Sequence, residues 1–420
     1  MSEAAANPKS DIIKDPYSIP LDSKFNVAQD VIFEQDAQWG YFDRLRNEAP
    51  VHYCDESEHG PYWSVTKFKD IMYVDSHHEI FSSEGGITIA EQDEDFTLPM
   101  FIAMDPPVHD EQRGVVSPVV QPINLAKLEG TIRERAAKLL DDLPIGEEID
   151  WVDRISIELT TQMLATLFDF PFEDRRKLTR WSDVATAGED TGIIDSEEQR
   201  REELYECLTV FSEIFRERQI KPGNNDLITM LANDPKTRDM VDKPLELLGN
   251  LILLIVGGND TTRNSITGGV LALNENPAEY EKLRKNNSLI TSMVPEIIRW
   301  QTPLAHMRRR ALVDTELNGQ KIKAGDKVIM WYVSGNRDED AIENANQFII
   351  DRARPRQHVS FGFGIHRCMG NRLAEMQLRV VWEEILKRFD FIEVVGEPVR
   401  IRSAFVKGYA KLPVVLHAKK

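Results

Sequence analysis

Cys368 stands in the run Phe361-Gly362-Phe363-Gly364-Ile365-His366-Arg367-Cys368-Met369-Gly370. One cysteine is thereby placed at the end of a glycine-rich loop and at the start of a helical pattern over 371–380, with Leu373, Met376 and Val380 on one face. A sulfur in that position meets unpaired helix N–H groups and the positive end of the helix dipole, which favour thiolate over thiol. Gly362, Gly364 and Gly370 let the backbone lie close to a flat ligand. A thiolate so held suits the axial position of haem iron, where it feeds electron density that favours O–O cleavage. A lone cysteine is ordinarily a small buried hydrophobe. The conjunction of loop, glycines, His366 and helix weighs against that here. Zinc is a poor competitor, because Cys54 and Cys207 lie far off in sequence and form no closely spaced Cys/His pairs.

A second cluster of chemistry lies in Gly257-Gly258-Asn259-Asp260-Thr261-Thr262. It interrupts an apolar helical run that Pro244 opens, a suitable first-turn residue, and Pro277 closes. Glycines, an acid and threonines in mid-helix are locally destabilising, and Thr261 can bond back to an earlier carbonyl and bend the helix. Over a haem face, a bent helix leaves room for dioxygen, and an acid beside an alcohol makes a proton relay. Further on, Glu296 and Arg299 share a helix face at i, i+3, and the flanking Ile297, Ile298 and Trp300 point to a buried pair. His109 and Arg113, at i, i+4, can both reach from one helix face to a carboxylate.

The elements that must position these groups read as mainly α with a small β portion. Residues 1–30, with Pro8, Pro16 and Pro20, read as a mobile arm. The rest, 31–420, reads as a single domain. Residues 39–48 read as a helix ending before Pro50. Residues 51–53 and 62–65 read as strands, and 85–100 as an acidic, glycine-bearing loop. From 111 to about 300 the text is helical. Strand character returns at 313–322, a hairpin with an Asn318-Gly319 turn, and again from Phe391.

Bulk properties exclude several function classes. The 420 residues are 41% hydrophobic with a formal net charge of −19, so nucleic acid and anionic membrane are disfavoured partners. Three scattered cysteines argue for a reducing compartment. Residues 1–15 lack a signal-peptide pattern, and no run approaches the ~20 apolar residues of a membrane span. The expectation is a cytoplasmic protein without a membrane anchor. The length leaves no room for a fused reductase, so electrons are expected from elsewhere.

The ten-residue cysteine run, read as Phe-Gly-x-Gly-x-His-x-Cys-x-Gly, resembles the haem-binding loop of the cytochrome P-450 family without gap or mismatch. The resemblance implies haem b held between the long kinked helix and the cysteine helix, with Cys368 as axial ligand and Phe361, Gly362 and Gly370 around it. It makes Asp260 and Thr261 the acid and hydroxyl of the oxygen-activating pair. Glu296, Arg299 and Arg352 match the family's structural ion network. His109 and Arg113, in Asp105-Pro106-Pro107-Val108-His109-Asp110-Glu111-Gln112-Arg113, match its cations for the haem propionates, as do His366 and Arg309, with Arg308 and Arg310 as adjacent alternatives to the last. Dioxygen is the implied cosubstrate. The implied electron donor is a ferredoxin with its NAD(P)H-dependent reductase, steered to a basic spot made by Arg356, Arg367 and Arg372.

Four stretches, at 101–107, 257–265, 300–309 and 368–372, look closest to bacterial terminal alkane and fatty-acid hydroxylases. The second is also similar to steroid side-chain hydroxylases, which leaves a sterol as the alternative to a medium-chain alkane, fatty acid or alcohol. Attack on a terminal methyl requires a narrow apolar channel that excludes the weaker methylene C–H bonds. Candidate wall residues are Ile87, Ile89, Leu98, Val256, Gly257, Leu304, Ala305 and Met307, with Leu304 and Val256 expected at the chain end. Two rival readings are weaker. A peroxygenase has no need of the Asp260-Thr261 pair, since peroxide brings its own protons, and a gas sensor would need a signalling module that the text does not show.

Overall fold

In the computed structural model, residues 13–187, 191–223 and 226–419 are described. Its longest element is the helix Pro244–Glu275, with proline in the first turn, where the missing N–H has no helical partner. Most side chains from Leu247 to Leu273 are buried, those at 253–254, 256–258 and 261 excepted, so this helix runs through the interior rather than along the surface. Against it pack the helices Glu158–Phe168, Arg176–Thr186, Ile290–Gln301 and Asn371–Arg388. The last begins three residues after Cys368, at the start of the pattern that the sequence showed.

The main sheet has five strands in the order Val51–Cys54, Tyr62–Val65, Lys327–Met330, Met307–Ala311 and Phe81–Ser82. Tyr62–Val65 and Lys327–Met330 are parallel, and the other neighbours antiparallel. The 313–322 hairpin forms as expected, with Asn318 (φ 50°) and Gly319 (φ 77°) both in the left-handed region that its tight turn requires. A second sheet joins Phe389–Val394, Pro413–Ala418 and Glu148–Asp150. Glu148–Asp150 lies within the stretch read as wholly helical. Three residues are too short to show a period of two, and the strand exists because Val414 pairs with Ile149.

Residues 13–30 also differ from expectation. Residues 1–12 lie outside the described part. Those that follow do not stand free as an arm: Phe25, Val27 and Ala28 are buried in an apolar cluster with Tyr41, Phe42, Ile329 and Trp331, and Ile13, Ile19 and Leu21 pack on it. The prolines in this segment were read as a sign of mobility, whereas its apolar residues find a complement on the main sheet. Among the described residues no helix is long and apolar enough to cross a membrane.

Candidate active site

The cysteine loop is built around a 3-10 turn, Gly364–His366, and is closed by the Cys368 N–H bonding the Phe361 carbonyl at 2.8 Å. Cys368 is exposed, although its neighbours Met369 and Leu373 belong to an interior apolar cluster. The sulfur therefore faces open space inside the protein. Leu253, Leu254 and Val256 of the long helix pack on that same cluster without being fully buried, and Gly257 in mid-helix is exposed. Nothing lies within 4 Å of where a Cβ on Gly257 or on Gly370 would stand. Leu253, Gly257 and Thr261, four residues apart, form a stripe of incompletely buried positions along the helix, flanked by the partly buried Leu254, Val256 and Gly258.

The two glycines of the long helix thus have different reasons. Gly257 leaves space, whereas a Cβ on Gly258 would stand 2.7 Å from Leu164 Cδ2. Thr261 donates to the Gly257 carbonyl at 2.9 Å, the back-bond that the sequence suggests. Asp260 is turned away from the void. Its carboxylate is fully buried against the Arg176–Thr186 helix and accepts from Ser182, Thr186 and Asn259 at 3.1–3.4 Å. It also pairs with Arg263 at 3.0 Å, and Arg263 pairs at 2.7 Å with Asp183, which is partly exposed. Burial pushes the Asp260 carboxyl up, against the pull of Arg263.

Near Cys368 the structure gathers two arginine and two histidine side chains. His109 and Arg113 come from the helix Val108–Val116, His366 from the loop turn, and Arg309 from the strand Met307–Ala311. The His109 and His366 rings lie 4.3 Å apart. His109 has one ring nitrogen on Asp110 at 2.8 Å, but its Nε2 and both nitrogens of His366 are buried without a partner. Burial, then Arg309, His109 and Arg113, hold His366 down at about 2. Arg113 donates to the Arg367 carbonyl. Two guanidinium groups and buried, unpartnered imidazole nitrogens, beside an open sulfur, fit a flat group that bears carboxylates and an iron, which is what haem b would bring.

One sequence expectation for this loop needs correction. Burial pushes the Cys368 thiol up, and the Gly370 and Asn371 N–H groups with Arg113 and Arg367 only oppose that shift. The helix start alone does not make the thiolate; a coordinated metal ion deprotonates a thiol outright. Gly362 and Gly364 also answer to a local demand of the loop. Both have φ of +64°, and a Cβ on either would press on Asp75.

The wall residues divide. Ile87, Val256, Leu304 and Met307 are half-buried, as lining residues beside an open space are. Ile89 and Ala305 instead belong to the core with Phe25 and Trp331, and Leu98 packs among Phe96, Phe101 and Leu251. Ile89 and Leu98 are core residues because the 85–100 loop folds inward, and Ala305 because its backbone is bonded between Phe405 and Val333. The Ile89 N–H donates to His306 Nε2 (3.1 Å), and Lys327 Nζ and Arg308 reach loop carbonyls and Glu91. His306, which the sequence did not single out, is fully buried. Its other nitrogen donates to the Ala404 carbonyl at 2.9 Å, so it ties the loop to the C-terminal turn as a neutral ring.

Glu296 and Arg299 are fully buried and paired at 2.7 Å, and Arg352 reaches Glu296 at 3.0 Å. Arg299 spends its remaining donors on the Asn336, Ala345 and Gln347 carbonyls, which shape the chain leading to the cysteine loop. Of the expected basic spot, Arg367 and Arg372 are exposed, whereas Arg356 is neutralised by Glu375 at 2.7 Å.

The model of the family described as Cytochrome P450 matches residues 192–408. A linalool 8-monooxygenase of Pseudomonas putida is 38% identical over 92% of this chain and 98% of its own. A methyl-branched lipid omega-hydroxylase of Mycobacterium bovis is 31% identical over 91% of each chain. Among solved structures, cytochrome P450-153 from Novosphingobium aromaticivorans is 45% identical and superposes with a TM-score of 0.88 over 94% of this chain and all of its own.

Proposed function

The chain belongs to the cytochrome P450 family, a monooxygenase family with cysteine-ligated haem b and dioxygen as cosubstrate, and from that premise we propose that it hydroxylates the terminal carbon of a medium-length aliphatic chain. The observation that supports this most is the void itself: the Cys368 sulfur and the Leu253-Gly257-Thr261 stripe open on interior space flanked by half-buried apolar side chains. Two relatives act, by their names, on aliphatic molecules at numbered or terminal positions.

Bound haem supplies dioxygen activation: one oxygen atom enters a C–H bond, the other leaves as water, and two electrons and two protons are consumed. The chain's residues serve that reaction as follows. Cys368 Sγ binds the iron. Arg113 and Arg309 would hold the haem carboxylates as charge-assisted donors, with the His109 and His366 rings beside them. The Thr261 hydroxyl, whose proton rests on the Gly257 carbonyl, would offer its oxygen as an acceptor next to space kept open by Gly257. Asp260, one layer behind, takes up and releases a proton at its carboxyl oxygens. Arg263 and the partly exposed Asp183 connect it toward solvent. Leu304, Val256, Met307 and Ile87 orient the chain and exclude water.

Electrons come from a ferredoxin docked over Arg367 and Arg372 in the cytoplasm. Reversing both charges is expected to slow reduction most at low salt. An unchanged rate and an unchanged salt dependence would remove that docking site.

The deciding experiment is an optical titration of the ferric protein with fatty acids and alcohols of graded length and with one sterone. A chain that displaces water from iron shifts the Soret band toward high spin, and the shift is expected to peak at medium chain length. A shift with the sterone alone moves the assignment to the steroid side-chain hydroxylases, and absence of a Soret band overturns the role of Cys368.

A further inference from the structure

Asp75 lies one residue before the end of the helix Phe68–Ser76 and is 3% exposed. Its carboxylate accepts three hydrogen bonds: from Arg309 Nη2 at 2.6 Å, Tyr332 Oη at 2.8 Å and the Phe363 N–H at 2.7 Å. One buried acid therefore touches a member of the cation cluster and the backbone of the cysteine loop at once. The loop is shaped around it. A Cβ on Gly362 would stand 3.0 Å from Asp75 Oδ2, and one on Gly364 would stand 2.3 Å from the Asp75 carbonyl oxygen. The second contact is with backbone, which any residue at position 75 would present and which cannot swing aside; with φ of +64° at both glycines, the Phe-Gly-x-Gly run is fitted to the end of this helix, and the Asp75 carboxylate lies beside Gly362.

The charges matter as much as the packing. Arg309 and Asp75 are both buried, so their charges act through a poorly screening interior. Of the other members of the cluster, His109 bonds the exposed Asp110 carboxylate, and His366 has no partner. Asp75 sets a buried negative charge directly against Arg309.

We propose that Asp75 is a positioning residue for the haem. It fixes Arg309 in place against a haem carboxylate, lowers the reduction potential by its own charge, and sets the cysteine loop through the Phe363 N–H. The proposal rests on Cys368 as the iron ligand and on Arg309 as a carboxylate-binding cation.

The test is the ferric/ferrous midpoint potential of the holoenzyme for wild type, Asp75→Asn, Arg309→Gln and the double variant. Asparagine keeps the shape and one acceptor oxygen but removes the charge. Asp75→Asn is expected to shift the potential positively, because the uncompensated Arg309 charge favours the reduced haem. Arg309→Gln is expected to shift it negatively, with the double variant between the two. A purely structural Asp75 would lower the unfolding temperature and leave the potential in place. Equal potentials for Asp75→Asn and wild type, at full haem content, overturn the proposal. If Asp75→Asn alone does not retain haem, the comparison moves to the Arg309→Gln background. There the double variant must lie positive of Arg309→Gln, and coincidence overturns the proposal. Failure of the underlying reading shows separately, as a wild-type protein whose ferrous carbon monoxide complex lacks the red-shifted thiolate band.

Discussion

At the scale of single residues, the environment decides what each charged side chain can do. Glu296 shows this most sharply. It accepts from Arg299, Arg352 and the Ile349 N–H in a site with no solvent access. Glu296→Ala leaves Arg299 buried and uncompensated, a loss of about 3–5 kcal/mol. The expected product is a protein purified largely without haem and with a much lower urea midpoint. Soluble Glu296→Ala with full haem content would contradict this. The pair was legible in the sequence because i, i+3 spacing between apolar neighbours is local information. The orientation of Asp260 was not. Adjacent helix residues point about 100° apart, so Thr261 opens to the void while Asp260 turns to the Arg176–Thr186 helix. The sequence shows the two side by side, and only packing shows which faces in. Arg263, at i+3 from Asp260, could have been found by the same spacing rule that found Arg299.

At the scale of elements, the long helix was readable almost to its ends, since prolines bound it. What its glycines do was not readable, because each answers to a different neighbour. A Cβ on Gly249 would fall 2.2 Å from the Pro99 carbonyl oxygen, a backbone atom of the 85–100 loop, whereas Gly257 faces open space. Alanine in a helix is favoured over glycine by about 1 kcal/mol. Gly257→Ala is therefore expected to leave thermal stability unchanged or slightly raised while reducing the Soret shift with long substrates. Gly249→Ala is expected to lower stability by about 1–3 kcal/mol through overpacking, despite the better propensity. Thermal unfolding of the two variants decides the matter, and equal effects would mean that the loop does not sit on the helix as described.

At the scale of the whole molecule, burial makes stability depend on acid. Burial holds His306 and His358 neutral, each down at about 3. In the unfolded chain they titrate near about 6.5. Below that pH the unfolded state binds a proton that the folded state refuses, so stability falls as pH falls, by about 1.4 kcal/mol per pH unit for each histidine. Glu384 acts in the same direction lower down. Burial would raise it, but Lys387, Arg133 and Arg388 outweigh that and hold it at about 2. Its stabilising effect is complete above the ordinary glutamate range of about 4.3 and is lost as pH drops toward the folded value, about 3 kcal/mol in all. Urea midpoints measured from pH 7 to pH 5 are expected to fall steeply below about pH 6. A flat profile would show that the two rings accept protons in the folded state.

The sequence by itself determined the family, the haem-binding cysteine run, the bounds of the long helix and the mainly α character, because each is written in residues close together along the chain. Tertiary structure alone decided that Ile89 and Ala305 are core, that Phe25 and its neighbours pack on the sheet, and that Asp75 joins Arg309 to the cysteine loop. Asp75 and Phe363 are 288 positions apart. No local period or spacing relates residues so distant, and their contact exists only because the helix end and the loop are pressed together by the packing of everything between them.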